Sequence, residues 1–405
     1  MLGGFVVRKF FKNNFKKAVI CIAAMLCFSL SSCAFSQDIQ PLSPTYSLPL
    51  VQGADSPAQN DISAQGAIVI ESSSGEALWS KNCDKPMPMA STTKVMTALV
   101  ALERCDIQKT VKVSPSAVGV EGSSVYLYAG EELTMENLLY AMLLESANDA
   151  AAAIAIEVGG SIEGFAKLMN KKAAELGLEN TSFENPHGLD GENHYTTAKE
   201  LALITREAMK NQNFRKIVST YKTTIPLNKN EGTRVLINHN KLLKSYEGAI
   251  GVKTGFTKKS GRCLVSAAEI DGVEYICVTL NAPSDWSDHT KLLDYASSLY
   301  ERVTLCKMGE ITYSLPLVNC ESQSVTVANK DNLSLILPRE RGEIEYVIEL
   351  PHFYYNGVSQ GEEIGSLVFY LDGEIIASTP MCAQNGVKQI KQKTNFFERI
   401  ASLFD

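Results

Sequence analysis

Three short motifs stand in one order along this chain: Ser91-Thr92-Thr93-Lys94, then Ser146-Ala147-Asn148, then Lys253-Thr254-Gly255. Together they carry the residue types of serine acyl transfer. A serine-x-x-lysine tetrad alone is expected about once by chance in a chain of this length. The ordered triplet is what makes the signal specific. An alcohol is a weak nucleophile at its own pKa, so Ser91 needs a base within hydrogen-bond reach. Lys94 lies three residues on, and i,i+3 neighbours share a helix face. An ordinary lysine is protonated at neutral pH, so the site must lower its pKa by desolvation or by a second cation. Lys253 is that second cation.

The other motif residues divide the remaining tasks. At a helix start the Ser91 backbone N–H has no intrahelical partner and is available to a developing oxyanion, with Phe256 just after the third motif as the second donor. Ser146 can pass a proton between the leaving group and the lysines, and Asn148 can hold Lys94 and a substrate carbonyl. Lys253 and Thr254 suit a substrate carboxylate, while Gly255 lets a substrate backbone approach a strand edge. His187 and His194 raise the question of a metal, but there is no H-E-x-x-H and no third ligand at useful spacing, so neither metal nor cofactor is expected.

Periodicity says which elements must position these groups. Residues 91 to 103 form a helix apolar nearly all round, which is a buried helix with only its first turn at a cleft. Thr134 caps a second helix that the Ser146-Ala147-Asn148-Asp149 corner separates from another at 150 to 158. Further amphipathic helices span 161 to 177, with Gly177 as C-cap, and 196 to 211. Hairpins join residues 67 to 70 to 77 to 79 and, through Asp271-Gly272, 263 to 270 to 273 to 280. Extended chain at 249 to 253 and helix at 285 to 302 complete an α+β pattern, a mixed antiparallel sheet covered by a helical cluster.

The chain has 405 residues, long for one domain and short for three. Its formal charge of −7 is mild and argues against a nucleic-acid partner. Residues 1 to 36 have the basic n-region and short apolar core of a secretory signal, so the protein is expected to be exported. Cleavage before Gln37 and lipidation of Cys33 in Leu30-Ser31-Ser32-Cys33 are both open. Residues 37 to 61 are a polar, Pro-containing linker, 62 to 302 the catalytic domain, and 306 to 385 a smaller all-β domain. Residues 388 to 405 put Ile390, Phe397 and Ile400 on one helical face, too short and charged to span a bilayer but suited to lie on one. Of the ten cysteines, those beyond the signal show no metal spacing and are expected to be buried thiols.

With Asn185-Pro186-His187-Gly188-Leu189-Asp190, His194 to Ala198 and Gly261 to Val265, the three motifs resemble those of serine-type D-alanyl-D-alanine carboxypeptidases, the low-molecular-mass penicillin-binding proteins. The resemblance implies a β-lactamase/transpeptidase-like catalytic fold followed by a C-terminal all-β domain and a membrane-associating helix at the outer face of the cytoplasmic membrane. It implies peptidoglycan pentapeptide stems as substrate and β-lactams as inhibitors. Ser91 would be the acylated nucleophile, Lys94 its base, Ser146 and Asn148 the second element, and Lys253 with Thr254 the carboxylate contact. One departure stands out. Some members carry a basic residue near the start of the last catalytic-domain helix, where this chain has Asp285, Trp286 and Asp288, which puts carboxylate affinity in question. Three other readings use the same motifs: a non-catalytic penicillin-binding sensor or wall-binding scaffold, a β-lactamase with Glu184 as a weak deacylation base, and a general esterase.

Overall fold

The computed structural model describes residues 56–228 and 232–390, together with the backbone of Gly4–Phe5 and Arg8–Phe10. Cys33 and its lipobox, the cleavage site and residues 391–405 of the expected terminal helix lie outside the described residues. The chain divides into two compact units, Leu48–Arg302 and Val303–Asp405 with Met1–Ser47.

The first unit is built on a five-stranded antiparallel sheet in the order Ala77–Lys81, Gly66–Glu71, Val273–Leu280, Gly261–Ile270, Ala249–Thr257. Both expected hairpins are present. Asp271 and Gly272 adopt φ of 49° and 73°, the pair of left-handed residues that lets a two-residue turn follow the twist of its strands. The sheet joins the two ends of this unit, since Gly66–Glu71 pairs with Val273–Leu280. The Ala249–Thr257 strand is left at an edge.

Helix Asp285–Leu299 packs on one face of this sheet. His289 ties it there, its two ring nitrogens at 2.5 Å from Ser266 Oγ and 2.9 Å from Thr279 Oγ1. Burial drives the His289 pKa down to about 3, so the ring is a neutral hydrogen-bonding link. Asp288 accepts from Ser63 N, Ser63 Oγ and Ala64 N at 3.0, 2.7 and 3.0 Å, which pins the segment entering the first strand.

Helix Ala198–Met209 packs on strands Gly66–Glu71 and Val273–Leu280, helix Gln212–Ser219 packs on the edge strand Ala249–Thr257, and the remaining helices gather around them. Ala90–Thr93 forms a 3₁₀ turn that runs into helix Lys94–Arg104, whose residues 94 to 101 are all buried. Apolar side chains on every face explain that position, and each fully buried aliphatic contributes roughly 1.5–3 kcal/mol. Thr134 caps Met135–Leu144 by accepting from Asn137 N at 3.2 Å. The corner then leads directly into helix Asn148–Gly159. Helix Gln212–Ser219 and the hairpin Lys222–Leu227/Gly232–Ile237 did not stand out from the pattern. The helix is only two turns long, and the hairpin has a buried residue at few positions.

Among the described residues the second unit is all-β apart from its turns. Its main sheet runs Ile344–Pro351, Glu363–Leu371, Glu374–Ala383, Ser324–Asn329, Thr312–Val318, Tyr354–Tyr355, with Gly4–Phe5 and Arg8–Phe10 paired to Ile344–Pro351. Leu315, Val327, Leu337, Leu367, Phe369 and Met381 form the centre of a separate core. The seven described cysteines are all free thiols; five are buried, and Cys83 and Cys105 are half-buried.

Candidate active site

Ser91 lies in the 3₁₀ turn at the mouth of the buried helix, and Ala90 before it takes φ of 46°, a left-handed conformation that alanine rarely adopts. Ser146, at the helix corner, is left-handed as well, with φ of 60°. Two non-glycine residues held this way at the first two motifs are backbone strain concentrated at one site. The surrounding structure supplies the restraint. A Cβ on Gly188 would stand 2.0 Å from the Ala90 carbonyl oxygen, and Gly188 itself has φ of +91°. Only glycine permits that approach.

The approach has a consequence for the base. Asn185 Oδ1 accepts from Gly188 N at 2.7 Å and shapes the loop, which then presents the His187 carbonyl to Lys94. Lys94 Nζ lies 2.6 Å from that carbonyl, 2.7 Å from Asn148 Oδ1 and 3.0 Å from Ser91 Oγ. Burial first, and the Lys253 ammonium second, hold the Lys94 pKa well below the ordinary lysine value. Lys253 is itself pushed down to about 7 by burial. The sequence argument named both causes; burial is the larger.

Asn148 is buried, with Nδ2 donating to the Glu121 carbonyl and Oδ1 holding Lys94. Lys253 is 1% exposed and donates to the Thr254 carbonyl at 2.8 Å. Both are buried, Asn148 against Lys94 and Lys253 against the Thr254 carbonyl. Asp149, next along, accepts from Ser124 Oγ, Val125 N and Leu127 N, fixing the loop that brings Ser123 to the opening.

The cleft has a volume of about 340 Å³, and Ser91, Ser146, Thr254, Gly255 and Phe256 all lie on its wall. Ladder geometry shows what the strand offers there. The Arg262 carbonyl accepts from Ala282 N at 2.8 Å, so Arg262 turns its peptide groups away from the Ala249–Thr257 strand. Its cross-strand neighbour Phe256 is then in a non-hydrogen-bonded pair and points its N–H to the free edge, as does Thr254 two residues earlier. A Cβ on Gly255 would stand 3.0 Å from Ser91 N and 3.1 Å from Thr92 N. Without it the edge and the Ser91 turn come together, which brings the Ser91 and Phe256 backbone donors to one cleft.

Several residues take places that the sequence reading did not give them. The His187 carbonyl as a lysine ligand had only the Asn-Pro-His-Gly string as its signal. His194 donates through Nε2 to Thr93 Oγ1 at 2.8 Å, a tautomer assigned because Nδ1 accepts from Glu184 N at 3.0 Å. Burial lowers the pKa values of His187 to about 3 and His194 to about 4, so both are neutral struts. Glu184 accepts from Asn193 Nδ2 at 3.4 Å and does not line the cleft, so nothing in its placement favours a β-lactamase. The start of the Asp285–Leu299 helix is acidic, as read from Asp285 and Asp288, and a basic side chain comes to it from another segment. Arg262 reaches Asp285 from the adjacent strand, Nη2 to Oδ1 at 2.8 Å, because the helix start packs directly over that strand end.

Comparison with known proteins agrees with this geometry. The D-alanyl-D-alanine carboxypeptidase family matches residues 53–284, and the penicillin-binding protein 5 C-terminal domain matches residues 300–389. D-alanyl-D-alanine carboxypeptidase DacF of Bacillus subtilis is 33% identical over 80% of this chain and 86% of its own length. DacC of Escherichia coli is 28% identical over 84% of this chain and 87% of its own. Among solved structures, penicillin-binding protein 5 from Haemophilus influenzae superposes with a TM-score of 0.59 at 27% identity, covering 83% of this chain and all of that one, 100%. The Streptomyces K15 DD-transpeptidase gives 0.57 at 33% identity over 60% of this chain and 99% of that one. The cleft, the antiparallel sheet with its helical cluster and these matches over both units agree: the chain belongs to the D-alanyl-D-alanine carboxypeptidase family, as a serine hydrolase with a C-terminal all-β domain.

Proposed function

We propose that Ser91 attacks the carbonyl of the penultimate D-alanine of a peptidoglycan pentapeptide stem and releases the terminal D-alanine through an acyl-enzyme. The observation that carries this assignment is the 3.0 Å contact between Ser91 Oγ and a buried, desolvated Lys94 Nζ. Neutral Lys94 takes the hydroxyl proton as the Oγ–C bond forms. The oxyanion is received by the backbone N–H groups of Ser91 and Phe256. The proton returns through the Ser146 hydroxyl to the leaving amine as the C–N bond breaks, and water then attacks the ester with Lys94 again as base. Asn148 and the His187 carbonyl orient the amine, and Lys253 lowers its basicity. The stem peptide lies along the free edge of the Ala249–Thr257 strand, using Thr254 and Phe256 backbone groups as an added strand would.

A β-lactam presents the same carbonyl and carboxylate, and it acylates Ser91 without prompt release because its ring-opened amine stays attached to the acyl group and does not leave the cleft to water as D-alanine does. The test is D-alanine release from a diacyl-Lys-D-Ala-D-Ala peptide, with penicillin labelling mapped by mass spectrometry. Release that stops on stoichiometric labelling of the Ser91 peptide is the expected result; labelling without any release would favour a sensor.

Export rests on the basic-apolar leader, and peripheral attachment to the outer face of the cytoplasmic membrane rests on the amphipathic spacing of residues 388 to 405. No helix of the described residues is long and apolar enough to cross a membrane. Deleting residues 388 to 405 is expected to move the protein from the membrane pellet to the supernatant. Unchanged sedimentation would assign attachment elsewhere, with Cys33→Ala as the next variant.

A further inference from the structure

Protein surfaces carry single exposed apolar residues as a matter of course, but four of them meet at one end of the second unit's main sheet. Val318, Phe353, Tyr355 and Ile390 are all exposed, Tyr355 to 59% and Phe353 to 43%. We infer that this aromatic end of the β-domain is a lipid-contacting surface, lying in the headgroup region of an anionic membrane beside residues 391 to 405. The inference rests on the peripheral attachment proposed above and extends it from the terminal segment to the folded domain.

Backbone pairing brings the four residues together. Leu317 and Val318 pair in parallel with Tyr354 and Tyr355, and Asn356 N donates to the Val318 carbonyl at 3.2 Å. Cys320 bridges to Gln389, whose Nε2 donates to Asn356 Oδ1 at 2.8 Å, and Ile390 N donates to the Asn319 carbonyl at 3.0 Å. Strand alternation then sorts the faces. Leu315 and Leu317 turn into the core, while Pro316 and Val318 face out. Tyr354 packs against that core with its hydroxyl donating to Glu362 Oε1 at 2.5 Å, so Phe353 and Tyr355 on either side of it face out with Val318. Their rings meet edge to face with centroids 5.1 Å apart, and they cover each other instead of the core.

Position and charge identify the occupant as lipid. Ile390 is the last described residue, and from it the chain continues into the segment proposed to lie on a bilayer. A surface that holds that segment has this end of the sheet beside it. From residue 388 onward Lys388, Lys391, Lys393 and Arg399 outnumber Glu398 and Asp405, which suits anionic headgroups. The acidic groups at this end are engaged with the fold. Glu362 accepts from the Tyr354 hydroxyl and from Ser359 N at 2.8 Å, and Glu321 stands across from Lys388, to whose carbonyl its N–H donates at 2.9 Å. Tyrosine, apolar in its ring and polar at its tip, is a side chain that settles at a membrane–water boundary. Met308 and Ile375 are exposed as well, but they lie toward the opposite end of the sheet, beyond the Asn329–Met381 pair.

The experiment uses the protein as exported and processed, carrying Cys33→Ala so that no lipid is attached, with vesicles of phosphatidylglycerol and phosphatidylethanolamine. Phe353→Ser/Tyr355→Ser is expected to weaken cosedimentation about 10- to 100-fold, since roughly half of each ring remains to be buried. Met308→Ser/Ile375→Ser should bind within about twofold of the parent, and D-alanine release should be unchanged in both. In a separate variant, Tyr355→Trp, the added emission should move to the blue with vesicles and be quenched by lipids brominated in the acyl chain; Met308→Trp should show neither. Binding retained within about twofold by Phe353→Ser/Tyr355→Ser would overturn the proposal and leave attachment through residues 388 to 405 standing. A parent protein that binds no vesicles would overturn both. Emission of Tyr355→Trp that is already blue before lipid is added, and stays there, would also overturn it, assigning the patch to residues 391 to 405 or to a second copy. Should the double serine variant fail to fold by circular dichroism, Tyr355→Trp decides alone.

Discussion

Replacing Ser91 by alanine is expected to lower D-alanine release by about 10⁴-fold or more and to abolish covalent labelling by penicillin. The hydroxyl is the group that becomes the ester, and nothing at that position replaces it. Its contacts are few, a 3.0 Å approach from Lys94 Nζ and a 3.5 Å contact to the His187 carbonyl. Stability should accordingly change by only about 0.5 kcal/mol, which thermal melting checks. The size of the loss separates nucleophile from neighbour. A residual label that moved to the peptide containing Ser146 would make Ser146 the acylated residue and overturn the assignment.

The second large effect concerns Lys94. Lys94→Met is expected to slow acylation by about 10³- to 10⁴-fold, the upper part of the range for general-base catalysis. The pH dependence has a definite sign. A lysine whose pKa is lowered acts as a base above that lowered value, so wild-type acylation is retained at neutral pH and falls as acid protonates the amine.

The same shift bears on stability. Between the lowered pKa values in the fold and the ordinary lysine value, the unfolded chain holds protons that the folded one lacks, so stability rises with pH through that interval. For Lys253 the interval runs from about 7 upward. A buried lysine of this kind costs on the order of a few kcal/mol at neutral pH. Methionine at position 94 escapes its share of that cost but leaves the His187 carbonyl and Asn148 Oδ1 without their donor. The variant should therefore gain most relative to wild type at low pH, and the difference should narrow as pH climbs toward 10. Melting curves across that range test it; a gap independent of pH would mean that Lys94 is charged in the fold.

The order of elements was largely readable because its signals are local. Hairpin turns such as Asp271-Gly272, the Thr134 cap and the all-round apolar pattern of residues 95 to 101 each act within a few residues of themselves. The missed elements have weaker local signals. Helix Gln212–Ser219 is short, and two strands of the second unit contain Pro316 and Pro380, which argue against strand when read alone. The serine-x-x-lysine pair and the strand motif were likewise legible as candidates, since their spacing is a property of the chain.

The sequence by itself determined which groups could do chemistry here: a serine with a lysine one helical turn away, a second serine at a corner, and a lysine, threonine and glycine on a strand. Only the tertiary structure decided how these groups meet one another. Packing buries Lys253 and Asn148, and there desolvation and hydrogen bonding bring them to bear on Lys94. Arg262 drew notice only as part of the Gly261 to Val265 string, and its place beside Asp285 became visible only when a strand end and a helix start were brought to the same edge. Burial and cross-strand neighbourhood are properties of the folded assembly, and residues 23 positions apart acquire them together.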